Sequence, residues 1–519
     1  MSQAGKVLLI GLDSADAELI RRWSDEGHLP TFAKLRAEGV WAELDTTAKV
    51  MHVSAWPSLY TGTRPGKHGM YHAYQIKAGD QDVHRTRADE IGQPPFWKHL
   101  DAAGVKTIVF DAFMNAPLEG FGGIQILEYG TWTWFEEPGA TPNEMWRSLT
   151  SRFGAYPAPE HTKIHGRPEA QPFLDDLLAG ARVKGEALRW LLKGEAWDLC
   201  FVTFGEPHPA GHYLWHVADP DYPLYPGAAG AIDTAVRDVY AAVDRAIGQT
   251  LEELGDDVTV MITSGDGMGP NFAGCQHVPE ALHRLDLYHG ADVGRPKPEP
   301  GAEARPKKSL ASRLRGMVPL ELRRAVNRCL PASVQHRLSM KWQNADIDWS
   351  RTRAFCIPNA NEGYVRINRA GREPKGLVDD SELAQHLAEI QGALSELTVP
   401  GTGAKAVEAI HDVERLFPGG RRGDLPDLSV TWSNEARVLA ELESDRIGHI
   451  QGKPGHETAP YYTGNHRPTA FVLARGPGLP AGGTIEGGDV VDLAPTLLAH
   501  FGVTVPEVMD GTPWSVFAG

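Results

Sequence analysis

The chain has 519 residues, of which 42% are hydrophobic and 23% are charged, a balance typical of a globular protein. Its formal net charge of −16 argues against a general nucleic-acid binder, because phosphate contacts require a basic surface. The four cysteines have no CxxC spacing, which argues against a disulfide framework or a Cys-type zinc site and fits a reducing compartment.

The first residues lead straight into a short apolar run rather than a signal peptide. No stretch approaches the roughly 18 consecutive apolar residues that a membrane helix needs. We therefore expect a cytoplasmic protein.

Apolar runs alternate with helical patterns over the first half of the chain. Lys6–Ile10 is an apolar run that ends at Asp13, as a buried parallel strand does. Further strands are predicted at 40–45, Lys106–Phe110, Leu199–Phe204 and Val258–Thr263, with helices at 94–103, 171–193 and 227–254. Units of strand, loop and helix predict an α/β fold with a mostly parallel central sheet flanked by helices. Ligands of such sheets bind at the carboxyl ends of the strands.

A change of composition after residue 290 indicates an insertion. We expect a core formed by 1–285 and 440–519, and an inserted cap subdomain at 286–439. Within the cap, 305–341 is basic and helical in pattern. A solvated helical pair packed on the body of the protein is the simpler interpretation, and a helix that contacts a membrane surface or a partner is the alternative.

Polar residues follow several predicted strands. Asp13 follows the first strand, Glu206 and His208 follow the strand that ends at Phe204, and Asp266 follows the strand that ends at Thr263. His208 and His212 are four residues apart, a spacing that can present two imidazoles to one metal ion. His466 lies in a loop near the end of the chain, where His456 is a further candidate.

The stretch 51–69, MHVSAWPSLYTGTRPGKHG, has the character of a nucleophile site. It places His52 and Ser54 just before a predicted helix, whose N-terminus offers free N–H groups to an anion.

Several motifs together carry a family resemblance. They are KVLLIGLDSAD, LPTFAKLRAEGV, SAWPSLYTGTRPGKHG, FGEPHPAGHYLWH, SGDGMGPN, TGNHRP and DLAPTLLAHFGVTVPEVMDGTP. These motifs occur in the order in which the alkaline phosphatase superfamily has them, and the chain therefore resembles that superfamily. The resemblance is greatest to its phosphodiesterase/nucleotide pyrophosphatase and phosphohydrolase or phosphomutase branches. The resemblance implies an alkaline phosphatase-like sheet, a two-metal site at its carboxyl edge, and cleavage or transfer of a phosphate- or sulfate-like ester.

Three residues match the metal-binding positions of the family: Asp13, His212 and His466. Elsewhere the chain departs from the pattern. The Thr or Ser nucleophile of the family falls on His52, and a metal-binding Asp falls on His208. The Asp-His pair of the family falls on Gly265 and Asp266, so that one ligand is lost and the other is changed.

The altered residues still form two coherent sets of ligands. One predicted site contains His208, His212 and His466, which suit zinc with an open position for water. The second predicted site contains Asp13, Asp266 and His52, whose oxygen-rich character suits zinc, manganese or magnesium. A site with one metal or none is the alternative, because two ions held close together need bridging negative charge and Gly265 supplies none.

Three candidates for the group that attacks the ester remain open. His52 can be a metal ligand while a metal-activated water attacks, or it can attack phosphorus itself and form a phosphohistidine. In the third version Ser54 attacks and His52 is its base.

These residues predict a metal-dependent hydrolase that acts on a phosphodiester or phosphomonoester. Its substrate would be a small or lipid-like anionic ester, and the basic segment 305–341 would allow a peripheral membrane contact. Substrate contacts are expected from Glu206, Asn271, His456 and Arg467. The alternatives are a sulfatase-like or ester-transferring enzyme of the same fold, and a non-catalytic member that binds anions.

Overall fold

A computed structural model of the chain describes residues 5–130, 136–157, 164–290, 293, 344, 347–357, 359, 361–438, 440–452 and 462–517. The chain is divided into two units. The first consists of Met1–Tyr71, Arg87–Asn271 and Ala459–Gly519, and the second of His72–Thr86 and Phe272–Thr458. The second unit thus takes a segment from the N-terminal half, in addition to residues from the expected insertion.

The strands of the described residues are, in chain order, β1 (Val7–Leu12), β2 (Val40–Leu44), β3 (Tyr74–Gln75), β4 (His84–Arg85), β5 (Thr107–Phe110), β6 (Ile124–Leu127), β7 (Gly139–Thr141), β8 (Leu199–Phe204), β9 (Thr259–Ser264), β10 (Gly267–Pro270), β11 (Ala354–Ile357), β12 (Gly363–Ile367), β13 (Val407–Asp412), β14 (Leu428–Trp432), β15 (Glu441–Leu442), β16 (Ile450–Gln451), β17 (Gly464–Arg467) and β18 (Ala470–Arg475).

The central sheet of the first unit has the strand order β2-β18-β9-β1-β8-β5-β6-β7. Its inner strands are parallel: β1 pairs with β8 and β9, and β5 pairs with β6 and β8. Strand β18 is antiparallel to β2 and β9, and β7 is antiparallel to β6. The predicted α/β fold with a mostly parallel sheet is confirmed.

Burial explains the composition of the central strands. Every residue of β1 (VLLIGL), β8 (LCFVTF) and β9 (TVMITS) is buried. Strands covered on both faces read as continuous apolar runs, because neither face meets water.

The α-helices of the described residues are α1 (Ala17–Asp25), α2 (Pro30–Glu38), α3 (Ala55–Thr61), α4 (Pro65–His68), α5 (Phe96–Ala102), α6 (Asn143–Phe153), α7 (Arg167–Gly194), α8 (Pro207–Ala218), α9 (Ala235–Leu251), α10 (Val278–Arg284), α11 (Asp380–Ser395), α12 (Val413–Leu416) and α13 (Leu493–His500). None of these helices is both long and apolar enough to cross a membrane.

An aromatic core fixes α3 and α5 against the sheet. The ring of Phe201 on β8 lies 6.2 Å from Phe96, 5.8 Å from Trp97 and 6.5 Å from Trp56. Burial of each such side chain contributes about 1.5–3 kcal/mol. This packing holds the helix that follows His52 in a defined place beneath the carboxyl edge of the sheet.

The second unit contains a four-stranded antiparallel sheet in the order β11-β12-β14-β13. Arg366 of β12 is fully buried and pairs with buried Glu373 at 2.7 Å. Its guanidinium also donates to the carbonyls of Gly423 and Leu425, which gives this buried charge several partners. The basic segment 305–341 lies outside the described residues.

Candidate functional site

Three neighbouring parallel strands bring the predicted site residues to one edge of the sheet. Asp13 directly follows β1, and its backbone N–H donates to the carbonyl of Phe204 at the end of β8. The helix α8, which carries His208 and His212, begins three residues after β8. Asp266 follows β9, on the other side of β1. Parallel strands end at the same edge, which explains why side chains distant in the sequence meet there.

A cluster of histidines lies at this edge. His208 and His212 are one helical turn apart on α8, and His466 comes from β17. One ring nitrogen of each histidine lies within 4.8 Å of those of the other two. The ring centroids are separated by 4.6 Å between His208 and His212, and by 4.9 Å between His212 and His466.

His52 joins this histidine cluster. It begins the short 3₁₀ turn His52–Ser54, which leads directly into α3. Its ring stacks on the ring of His466, with the centroids 4.1 Å apart and the planes inclined by 24°. The side chain is buried, so that the structure brings the predicted nucleophile position next to the predicted ligands.

The two predicted carboxylate ligands each contact a histidine of the cluster. Asp13 Oδ2 lies 3.2 Å from His208 Nδ1, and Asp13 Oδ1 accepts a hydrogen bond from Trp56 Nε1 at 2.9 Å. Asp266 Oδ2 is hydrogen-bonded to His466 Nδ1 at 2.6 Å. Both carboxylates are buried.

His212 is held by the backbone and by an aromatic ring. Its Nδ1 lies 2.9 Å from the carbonyl oxygen of Gly464, and its ring stacks on Tyr462 with a centroid distance of 3.9 Å. Burial, followed by the electrostatic effect of His208, lowers the pKa of His212 well below its ordinary value. His212 is therefore neutral at pH 7, the form that a metal ligand requires.

Ser54 lies deeper than His52. Its side chain is fully buried, and its hydroxyl is hydrogen-bonded to the carbonyl of Met51 at 2.6 Å and to Thr47 Oγ1 at 2.8 Å. An attack by this hydroxyl requires that these contacts be given up.

Glu206 belongs to a buried polar network beside α8. Tyr156 donates a short hydrogen bond to Glu206, and Lys184 pairs with Asp111. Burial raises the pKa of Glu206, and the charge of Lys184 opposes that effect. The structure thus shows contacts of Glu206 with other protein groups, and its predicted substrate contact stays a prediction.

The other predicted substrate residues also contact the protein. Asn271 Nδ2 donates to the carbonyl of Tyr462 at 2.8 Å, and this contact holds the segment before β17. Arg467 Nη1 donates to Glu18 Oε2 at 3.3 Å. His456 lies outside the described residues.

Gly265 occupies the position where the family pattern has a ligand. A Cβ atom at this position would lie 3.0 Å from the Cβ of Ala55, which is tighter than an ordinary van der Waals contact. Glycine at this position therefore allows α3 to pack closely against the loop after β9.

Two residues of the site were not predicted from the sequence. Ser14 Oγ lies 3.2 Å from His466 Nδ1 and 3.4 Å from Asp266 Oδ2, and Ser14 has a φ of 53° in the turn between β1 and α1. Trp56 donates to Asp13. Their positions directly after Asp13 and inside the 51–69 stretch are the signals in the sequence that could have identified them.

Comparison with protein families gives the site its context. The family described as type I phosphodiesterase / nucleotide pyrophosphatase matches residues 7–457. The chain belongs to this family. The predicted membership of the type I phosphodiesterase / nucleotide pyrophosphatase family is confirmed, as is the predicted α/β fold with a mostly parallel central sheet. The protein is a hydrolase that acts on ester bonds, and the expected phosphoester chemistry is the chemistry of its family.

Several solved structures are similar to this chain at low sequence identity. Human ectonucleotide pyrophosphatase / phosphodiesterase 5 is 12% identical, covers 98% of this chain and 97% of its own, and has a TM-score of 0.45. Phosphonoacetate hydrolase from Sinorhizobium meliloti 1021, in complex with phosphonoacetate, is 14% identical with 96% of each chain covered and a TM-score of 0.49. No curated protein matches the chain. The family assignment therefore rests on the match over residues 7–457.

Proposed function

We propose that this family member is a metal-dependent hydrolase of phosphate esters, with a phosphodiester or phosphomonoester as its substrate. The observation that carries the proposal is the close approach of His208, His212 and His466, whose ring nitrogens lie within 4.8 Å of one another. Imidazoles converge in this way where they share a ligand, and three of them at the carboxyl edge of a parallel sheet favour a divalent metal ion.

The chemistry of these side chains fits zinc. Three neutral imidazoles leave an open position on a tetrahedral ion, and the lowered pKa of His212 keeps its ring in the neutral form. A divalent ion bound there would polarise the ester oxygens and offset the negative charge that develops during phosphoryl transfer. In the two-metal version of the proposal, Asp13, Asp266 and His52 hold a second ion, for which zinc, manganese or magnesium is suited.

His52 is the attacking group that the packing supports best. Its ring stacks on His466 at 4.1 Å, which places an imidazole within the cluster. In this mechanism a ring nitrogen of His52 forms a bond to phosphorus as the ester oxygen leaves, and water then cleaves the phosphohistidine. Ser54 is disfavoured because its buried hydroxyl is hydrogen-bonded to Met51 and Thr47. Attack by water, with His52 as a ligand, is the competing version.

The proposal includes a small anionic ester as the substrate and a cytoplasmic location. The scattered cysteines, which lack CxxC spacing, support a reducing compartment. The acidic net charge of −16 supports a small substrate over nucleic acid.

Turnover of chromogenic esters before and after removal of metal tests the proposal. Nitrophenyl phosphate, bis(nitrophenyl) phosphate and nitrophenyl sulfate should be compared in the metal-stripped protein and after addition of zinc, manganese or magnesium. We expect hydrolysis of a phosphate ester that is lost on stripping and restored by a divalent ion. His212→Ala should lower activity by about 100-fold or more, whereas His500→Ala, at a half-buried histidine of α13, should not. Full activity of the stripped protein would contradict the proposal.

A further inference from the structure

The three histidines of the cluster share one arrangement of their ring nitrogens. Each Nδ1 lies close to an oxygen: His208 Nδ1 is 3.2 Å from Asp13, and His466 Nδ1 is 2.6 Å from Asp266. His212 Nδ1 is 2.9 Å from the carbonyl of Gly464. The three oxygens come from three separate elements, namely the end of β1, the loop after β9 and strand β17.

This arrangement decides which nitrogen each ring offers to a ligand. A neutral imidazole carries one N–H donor and one acceptor nitrogen, and the group that faces one nitrogen selects the tautomer. A hydrogen bond between Nδ1 and an oxygen, as in His212 and His466, favours the proton on Nδ1 and leaves the lone pair of Nε2 available, whereas Asp13 faces Nδ1 of His208 as an ion-pair contact. Metal-bound histidines commonly donate their other N–H to a carboxylate or a backbone carbonyl.

Asp13 and Asp266, the carboxylates that face two of these histidines, are each fixed by a further contact. Asp13 uses one oxygen to accept from Trp56 Nε1 at 2.9 Å and turns the other toward His208. Asp266 Oδ2, which contacts His466, also lies 3.4 Å from the hydroxyl of Ser14. A carboxylate fixed between a neutral donor and an imidazole is suited to orient the imidazole.

We infer that the site holds one divalent ion through Nε2 of His208, His212 and His466, and that Asp13 and Asp266 are positioning residues rather than ligands of a second ion. The inference rests on the metal dependence of the proposed function. It differs from the two-metal arrangement that the family resemblance implies, and Gly265 is consistent with it, because no carboxylate remains there to bridge two ions.

Metal stoichiometry and affinity test the inference in the full-length chain. The stripped protein should be dialysed against zinc for metal analysis, titrated against a competing chelator, and loaded with cobalt(II) for its absorption spectrum. We expect one ion per chain in the wild type and in the variants Asp13→Asn and Asp266→Asn. The affinity of these two variants should fall by about 10- to 100-fold, while the cobalt spectrum keeps its tetrahedral character.

Matched variants distinguish a loss of zinc affinity caused by a misoriented histidine from a loss caused by a folding defect. Asp244→Asn changes a buried carboxylate that contacts the backbone of α2, and should leave zinc affinity unchanged. Trp56→Phe keeps Asp13 but removes its donor, and should lower zinc affinity even if Asp13→Asn does not fold. His212→Ala should abolish stoichiometric binding.

Two ions per chain in the wild type, falling to one in Asp13→Asn or Asp266→Asn, would overturn the inference. Unchanged zinc affinity in Trp56→Phe and in both Asn variants would overturn it too. A protein that binds one ion in this manner but cleaves no phosphate ester would contradict the proposed function and leave the inference standing. A protein that binds no metal would contradict both.

Discussion

Each buried carboxylate of the cluster faces one imidazole and one neutral donor. Asp13 lies between His208 and Trp56, and Asp266 lies beside His466 and Ser14. An unpaired buried carboxylate is costly, by several kcal/mol, and these contacts offset part of that cost. At the scale of residues, the site therefore consists of the histidines and of the side chains that fix their orientation.

Variants of two neighbouring residues distinguish between His52 and Ser54 as the attacking group. His52→Ala should lower kcat by about 10²–10⁴-fold, because it removes the imidazole that is stacked on His466. Ser54→Ala should keep turnover within a few-fold and lower the free energy of unfolding by about 1 kcal/mol, because it removes the hydrogen bonds of the hydroxyl to Met51 and Thr47. Steady-state kinetics and urea unfolding measure both. An inactive but folded Ser54→Ala protein would favour Ser54 as the nucleophile.

At the scale of elements, β17 is seated tightly against α8. A Cβ atom on Gly464 would lie 2.1 Å from the backbone oxygen of Gly211, so that only glycine allows this approach. The same glycine supplies the carbonyl that faces His212. The contact between the two elements and the positions of His212 and His466 thus depend on one residue.

Gly464→Ala should therefore separate β17 from α8 and disturb both His212 and His466. We expect loss of activity by about 100-fold or more and weaker zinc binding, with lower thermal stability. Gly194→Ala is the matched control, because a Cβ there meets nothing within 4 Å at the end of α7. That variant should be neutral or slightly stabilising. Normal activity of Gly464→Ala would show that the backbone can yield at this contact.

A buried carboxylate between α9 and α2 is expected to make stability depend on pH. Asp244 of α9 accepts hydrogen bonds from the backbone N–H groups of Thr31 and Phe32, in the first turn of α2. Burial nevertheless raises the pKa of Asp244 above its ordinary value. The protonated form is thus favoured in the folded protein, and the stability it provides is lost as the pH rises through the folded pKa.

Asp244→Asn should remove this part of the pH dependence. In the wild type the group should lower the free energy of unfolding as the pH rises above about 4, with a slope of at most about 1.4 kcal/mol per pH unit. Urea unfolding of both proteins between pH 4 and 7 measures the difference in slope. Identical slopes would show that Asp244 has the same pKa in the folded and unfolded chain.

At the scale of the whole molecule, the candidate site belongs to one unit. His52, His208, His212 and His466 all lie in the unit that contains the eight-stranded sheet. Binding of a ligand to the folded state stabilises the part of the protein that must fold to form the site. A metal ion should therefore act on the two units unequally.

Zinc at 100 times its dissociation constant should stabilise the first unit by about 2.7 kcal/mol. Hydrogen exchange followed by mass spectrometry should show added protection in β1, β8, α8 and β17 but not in β11–β14. The His212→Ala protein should show neither effect. Equal protection of both sheets would mean that the two units unfold together.

Much of the fold follows from the sequence, because fully buried strands must be continuous apolar runs and their post-strand residues must meet at one edge. This reasoning located β1, β8 and β9 and brought Asp13, His208 and Asp266 to the same site. The ordered motifs identified the family, and several of them contain the residues that meet at this edge.

Only the tertiary structure decided which side chains contact which. The sequence suggested Asp13, Asp266 and His52 as one set, whereas in the structure Asp13 contacts His208 and Asp266 contacts His466. Spacing along a chain determines the edge where a side chain emerges, but its direction depends on rotamers and on the packing of elements distant in the sequence. The stacking of His52 on His466 and the burial of Ser54 arise in the same way.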